Sequence, residues 1–297
     1  MKRNKGSAGL ATKKYAKRSA FGEMLHKLRK HKGAMVGLII FSIVLLSFIL
    51  SLFFINYDMV TIGSPKERLS PPSWRFPFGT DNMGRNMFFR LLYGSRYSLA
   101  LGFGGSLIGA FFGVGLGSIA GYYGGIRETL IMRFADILSS IPAMLFGIVL
   151  MSTLGSNLQN LIYTVGIAST PIYIRMTRAS MLTLKNQEFV EAAHAIGLRD
   201  ARIILTHILP NGLSPIIVTF TMNFGLIILA GSGLSFLGFG VTAPRPEWGA
   251  LIAGGRQYMR NSPFLLAFPG LIIMLTVLAF NLVGDGLRDA LDPKQRR

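Results

Sequence analysis

Long stretches of apolar residues without a charged side chain recur along the chain, separated by shorter polar segments. Each holds about 20 residues, enough to cross a hydrocarbon core roughly 30 Å thick as an α-helix. The pattern predicts six transmembrane helices, over residues 34–55, 98–120, 137–155, 158–174, 212–234 and 264–284. The fourth carries the weakest signal, because it is short and contains Pro171. The sequence therefore predicts an all-α polytopic membrane protein.

The charged residues are few and unevenly placed. They make up 15% of the chain, against about 25% in soluble domains. The formal net charge is +18, and eleven basic residues lie in the first 32, with Glu23 as the one acid among them. A basic arm next to a membrane segment is retained in the cytoplasm and attracted to anionic lipid. We therefore expect lipid, and not nucleic acid, as its partner.

The basic residues also predict the orientation of the helices. With the N-terminus inside, the inside segments hold 22 Lys and Arg residues and the outside segments hold nine. This excess favours both termini in the cytoplasm. The predicted organisation is a cytoplasmic arm (1–33), a first helix with an outside loop (34–97), a core domain (98–290) with a cytoplasmic loop at 185–211, and a tail (291–297).

Several functional classes lack the residues that they need. No ionisable side chain falls in the apolar part of a predicted span, which counts against proton-coupled transporters and voltage sensors. The four histidines, His26, His31, His194 and His207, fall in predicted cytoplasmic segments, away from an intramembrane protease site. There is no cysteine, no metal-ligand spacing and no P-loop. We expect no catalytic residues, no cofactor and no metal on this chain.

One predicted helix carries a regular pattern of glycine. The glycines recur every four residues, at Gly105, Gly109, Gly113, Gly117 and Gly121. On a helix they form a smooth stripe that another backbone can approach closely. We interpret the stripe as packing within the bundle, with a subunit interface as the alternative.

The loop at 185–211 has the pattern of a helix, a turn and a second helix. Helix formers run over 188–195, and Gly197 is expected to stop the first helix. An amphipathic stretch with Ile203, Ile204 and Ile208 follows and ends at Pro210. Small residues in the first helix, Ala192, Ala193 and Ala195, are expected to let another protein approach closely.

This loop resembles the coupling loop of binding-protein-dependent ABC importer permeases. The family pattern E-A-A-x-x-x-G followed by L-P is matched by Glu191, Ala192, Ala193, Gly197, Leu209 and Pro210. The family has an isoleucine where this chain has His207. Residues 78–99, 121–128, 234–252 and 268–293 resemble the dipeptide, oligopeptide and nickel branch, so the resemblance covers most of the chain after residue 76. It implies the six-helix type I importer permease fold and the second of the two permease types of this branch.

The resemblance also implies partners and a mechanism. A second homologous permease would share the translocation path, two ATPase subunits would bind ATP and Mg²⁺, and an external substrate-binding protein would deliver the substrate. The first helix of the loop would lie in a groove on an ATPase, where Glu191 makes a polar contact; a solvated surface acid is the alternative reading of Glu191. The implied location is the bacterial inner membrane.

Two outside loops contain candidate contacts for the external protein or for a gate. They are Asp81 and Arg85 in the first loop, and Pro246, Glu247 and Trp248 in the loop before the last span. Helix capping is the alternative for Asp81 and Arg85, and a connecting role is the alternative for the second loop.

The function implied by the resemblance is ATP-driven import of short peptides. Import of nickel or a metal chelate through the same fold is the alternative within the family. A channel or a secondary transporter is the alternative from another class, and it predicts flux without ATP.

Overall fold

A computed structural model describes residues 20–291. Predictions for most of the basic arm and for nearly all of the tail fall outside this range. The described chain is helical, with one isolated bridge between Thr80 and Asn86, and this confirms the all-α class. The helices are α1 (Ala20–Lys30), α2 (Lys32–Phe54), α3 (Asp58–Thr61), α4 (Met87–Tyr123), α5 (Gly125–Ser140), α6 (Ala143–Leu154), α7 (Leu158–Leu184), α8 (Glu188–Ala195), α9 (Asp200–Ile203), α10 (Leu209–Asn211), α11 (Leu213–Phe236), α12 (Trp248–Gly255) and α13 (Phe264–Leu291).

Four helices, α2, α4, α11 and α13, are long and apolar enough to cross a membrane. The pair α5 and α6 supplies a fifth candidate, with a bend of 87° between its two parts. The predicted fourth span lies in α7, which has 27 residues but is less apolar than those four. The count of six therefore stays a prediction.

The predicted third span, 137–155, is wrong as a single helix. The chain breaks at Ile141 and Pro142, between α5 and α6. Proline lacks a backbone N–H, and its ring disfavours the helical conformation of the residue before it. Ile141 accordingly has an extended backbone, with φ −88° and ψ 124°.

Helix α4 is longer than the predicted span 98–120. It has 37 residues and a length of about 55 Å. It begins after Asn86, whose side-chain oxygen accepts a hydrogen bond from Phe88 N at 2.9 Å. Charged residues such as Arg96 interrupt the apolar pattern in its first turns, so the hydropathy pattern did not include these turns in the predicted span. Arg96 donates a hydrogen bond to Ile55 O at 3.1 Å, at the end of α2.

The glycine stripe of α4 packs within the chain, mainly against α7. A Cβ atom added at Gly117 would lie 2.6 Å from Ile174 O, and one added at Gly121 would lie 2.5 Å from Met181 Cβ. The residue numbers on the two helices rise together: Gly105 lies against Val165, and Gly121 lies against Met181. The two helices are therefore parallel. The chain must return across the bundle between them, through α5 and α6, and this supports six crossings.

The start of α2 and the end of α13 lie on the same side of the bundle. His31 Nδ1 accepts a hydrogen bond from Ala34 N at 3.0 Å, while Nε2 lies 3.3 Å from a carboxylate oxygen of Asp289. Helix α2 packs against α13 at Gly37 and exposes Ile43 and other apolar side chains. The shared side requires an even number of crossings, as the predicted orientation does.

Candidate functional site

The loop after α7 folds as a helix, a turn and a second helical segment, as its sequence predicts. In α8, Glu188 and Glu191 occupy the first turn, where the helix dipole favours negative charge. Val190 and Ala193 face inward and are buried. They belong to an apolar cluster, which we call the loop core, with Met181, Ile203, Ile204 and Ile208.

Gly197 closes α8 through its backbone conformation. Its φ is +79°, in the left-handed region that side chains disfavour. Gly197 N donates to His194 O at 2.9 Å and Leu198 N donates to Ala193 O at 3.2 Å. This pair of bonds is the Schellman arrangement that ends helices. The turn directs the chain back over the inner face of α8, so that the second segment completes the loop core.

The second segment contains α9, one turn of π-helix at Ile204–Ile208, and α10. Leu209 is half-buried against the loop core, whereas Pro210 is exposed in the first turn of α10. The residues that carry the resemblance therefore have two placements. Ala193 and Leu209 hold the loop together, and Glu191, Ala192, Gly197 and Pro210 are exposed. The expectation that Ala193 helps a partner to approach is wrong, because its side chain lies inside the loop.

The outer face of the loop is partly apolar. Ala192 and Ala195 are exposed, and Ile196 and Leu205 are 75% and 63% exposed. The carboxylate of Glu191 makes no hydrogen bond or ion pair with the described residues. An apolar patch beside an unpaired acid, on a loop with its own core, has the character of a protein-binding surface. We call Glu191, Ala192, Ala195 and Ile196 the outer face of α8.

A tyrosine at the end of α4 ties the loop to the bundle. Tyr122 Oη donates to Asp200 Oδ1 at 3.0 Å and lies 3.1 Å from His194 Nε2, so it holds α9 and α8 together. Beside it, Lys185 Nζ donates to Gly121 O at 3.1 Å. Sequence reasoning missed Tyr122, His194 and Asp200, because 72 or more residues separate the tyrosine from its partners. These contacts connect α8 and α9 to the end of α4.

Asp81 and Arg85 lie at the opposite end of α4, and both are buried. Asp81 accepts hydrogen bonds from Met83 N at 2.8 Å, Arg85 N at 2.9 Å and Arg85 Nε at 2.7 Å. It also pairs with Arg90, which sequence reasoning did not single out. These contacts fix the loop before α4 and are not the helix cap that was the alternative for this pair, because Asn86 caps α4. A contact with an external protein stays a prediction.

Glu247 and Trp248 are fully buried, with Pro246 beside them. The Glu247 carboxylate caps α12, accepting hydrogen bonds from Gly249 N and Ala250 N at 2.9 Å. It also accepts hydrogen bonds at 3.3 Å from Ser98 Oγ of α4 and Ser232 Oγ of α11. The loop before α13 thus contains a helix fixed between two spans.

Folding places the carboxyl group of Glu247 against the ends of two predicted spans, at Ser98 and Ser232. The apolar pattern of the sequence did not indicate this contact. Burial raises the pKa of Glu247 above its ordinary value of 4.5, although the helix N–H groups and serine hydroxyls act in the opposite direction. The folded state consequently holds this proton to higher pH than the unfolded state does.

We expect Glu247→Gln to reduce the pH dependence of stability. The raised pKa of Glu247 stabilises the folded state. This contribution to the free energy of unfolding is fully present below about pH 4.5, and it is lost as the pH rises through the folded-state pKa. As the pH rises above about 4.5, the Tm of the wild type should therefore fall more than that of Glu247→Gln. Thermal unfolding in detergent measures this, with the exposed Glu188→Gln as the control. Parallel pH profiles for wild type and Glu247→Gln would contradict the burial argument.

Comparison with known proteins gives a consistent set of relatives. The family described as binding-protein-dependent transport system inner membrane component matches residues 113–297. The N-terminal transmembrane domain of oligopeptide transport permease C matches residues 19–72. The dipeptide transport system permease protein DppC of Alkalihalophilus pseudofirmus is 44% identical, over 95% of this chain and 92% of the relative.

Other relatives and a solved structure agree with these matches. DppC of Haemophilus influenzae is 39% identical, over 95% of this chain and 98% of its own. The glutathione transport system permease protein GsiD of Escherichia coli is 42% identical, over 93% of this chain and 91% of its own. An inward-facing structure of the MetNI methionine ABC transporter aligns with 69% of this chain and 98% of its own, at a TM-score of 0.57 and 19% identity. This last likeness shows the fold alone.

Proposed function

Since this chain belongs to the family of binding-protein-dependent transport system inner membrane components, we propose that it is one of two permease subunits of an ATP-driven importer of short peptides. The names of the relatives, which include dipeptide and glutathione permeases, support this substrate class. The observation that carries the proposal is the outer face of α8, an exposed surface on a loop that has its own core and is tied to a spanning helix. We place the chain in the bacterial inner membrane.

The proposed partners are a second permease, two ATPase subunits that bind ATP and Mg²⁺, and an external substrate-binding protein. The outer face of α8 would lie in a groove of one ATPase, with Glu191 as its polar contact. When ATP closes the ATPase pair, α8 moves with the subunit that holds it.

The contacts of the loop suggest how this motion reaches the membrane. Tyr122 connects α8 and α9 to the end of α4. Helix α4 packs on α7 through the glycine stripe, where backbones lie too close for either helix to slide freely. We therefore infer that α4 and α7 respond to the ATPase together.

Site-directed crosslinking tests the contact with the ATPase. The chain contains no cysteine, so Ala192→Cys introduces a unique thiol on the outer face of α8. We expect it to crosslink to a P-loop ATPase in native membranes. Asn261→Cys, exposed near the opposite end of the bundle, should give no such product.

Purification and transport assays complete this test. The purified complex should contain a second permease and ATPase subunits, and in vesicles it should take up short peptides only with ATP and the external protein. A chain recovered alone, without an ATPase crosslink at position 192 and with flux in the absence of ATP, would instead indicate a channel or a secondary transporter. Uptake of nickel or a chelate, but not of peptide, would overturn the substrate class alone.

A further inference from the structure

A buried cluster at the start of α4 carries more positive than negative charge. Asp81 pairs with both Arg85 and Arg90, and the three side chains are between 6% and 8% exposed. One carboxylate faces two guanidinium groups, so the cluster has a formal charge of +1. Burying a charge without a partner is costly, so such a cluster favours a counter-ion.

Arg90 shows where the compensation is incomplete. Its Nε atom is buried and has no hydrogen-bond partner among the described residues. Other atoms of Arg90 line a cavity of about 70 Å³, together with Asp81, Arg85 and the exposed Arg245. Asp81 is the only carboxylate in this lining, and the remaining walls come from apolar residues, glycines and Asn82.

We propose that this cavity binds one small monovalent anion from solution, of the size of chloride. The excess of one positive charge in the cluster matches a single negative charge, and the small cavity favours a small anion. Arg90 lies in the first turn of α4, where the helix dipole also favours an anion. The buried guanidinium groups supply charged donors, and Arg245 lies at the cavity as the exposed cation. The proposal does not depend on the transported substrate.

Anion-dependent stability in solution provides the first test. The purified complex is heated in chloride or in gluconate, a much larger anion, at constant ionic strength. At chloride concentrations about 100-fold above its Kd, the Tm of this chain should rise by roughly 5 °C. Arg90→Gln should remove this rise, and Arg260→Gln, an exposed arginine outside the cavity, should retain it. Equal Tm values of the wild type in the two salts would overturn the proposal.

Two further variants keep the test decisive if Arg90→Gln does not fold. Arg245→Gln, at an exposed position, should leave the fold intact and shift the chloride midpoint several-fold higher. Asp81→Asn removes the competing carboxylate and should shift the midpoint lower if the variant folds. An unchanged midpoint in Arg245→Gln would count against the assignment of the cavity.

Bromide locates the ion directly. In crystals of the complex grown in bromide, we expect an anomalous peak inside this cavity, beside the guanidinium groups of Arg85 and Arg90. Bromide peaks that occur only at exposed arginines, with water beside Arg90, would overturn the proposal even if chloride raises the Tm.

Discussion

Ala193→Glu is expected to abolish transport by disrupting the loop at 185–211, and Ala192→Glu is expected to remove most of the transport with the loop intact. The two neighbours differ because Ala193 is 3% exposed inside the loop core, while Ala192 lies on the outer face of α8. A buried carboxylate without a partner costs roughly 3 kcal/mol or more. That is enough to open a small local cluster. At Ala192 the charge stays in water, and only docking of a partner suffers.

Limited proteolysis and co-purification distinguish the two outcomes. Ala193→Glu should be cleaved within 185–211 under conditions that leave the wild type intact, and it should lose its ATPase. Ala192→Glu should keep the wild-type cleavage pattern and still lose most of its ATPase and its uptake. Ala192→Ser serves as the control that should retain both. Wild-type protease resistance of Ala193→Glu would contradict the inward placement, and wild-type uptake by Ala192→Glu would contradict docking through this face.

Gly113→Leu is expected to separate α4 from α7, whereas Gly115→Leu in the same helix should be tolerated. A Cβ atom at Gly113 would lie 2.8 Å from Thr170 O and 3.1 Å from Ile174 N, so backbone atoms would have to move. At Gly115 nothing lies within 4 Å of an added Cβ atom. Overpacking a close interface costs about 1–3 kcal/mol, and more where backbone must shift.

Thermal stability and yield in mild detergent measure this difference. We expect Gly113→Leu to be recovered poorly or with a Tm lower by roughly 5 °C or more. The Tm of Gly115→Leu should stay near that of the wild type. Equal stability of the two variants would show that the stripe is not a close internal contact, and it would restore the subunit interface as the interpretation.

The class, most of the helices and the shape of the loop at 185–211 could be predicted from the amino-acid pattern alone. These features follow from local rules: an apolar run of sufficient length, and a glycine with positive φ at Gly197. The same rules failed where local signals conflict. The apolar pattern continues across Ile141 and Pro142, so it did not indicate the break between α5 and α6. Arginines interrupt the apolar pattern in the first turns of α4, so these turns were not predicted.

The placement of the glycine stripe was only partly predictable. Spacing of four residues shows that the glycines share one face of α4, but it does not identify the helix opposite them. The loop alanines pose a similar problem. Three small residues predict a close approach, yet whether Ala192 or Ala193 faces the loop core depends on how the second segment folds back after Gly197.

The partners of the charged and polar residues depend on how the helices pack, and the sequence did not predict them. Glu247 meets Ser98 across 149 positions, and Tyr122 meets Asp200 across 78. No spacing rule relates residues so far apart, because their distance is set by how helices pack and not by the chain between them. For the same reason, the sequence suggested that Asp81 and Arg85 could contact an external protein at the surface. Packing of the outer loops against α4 buries both residues, and it brings Arg90 to the same carboxylate.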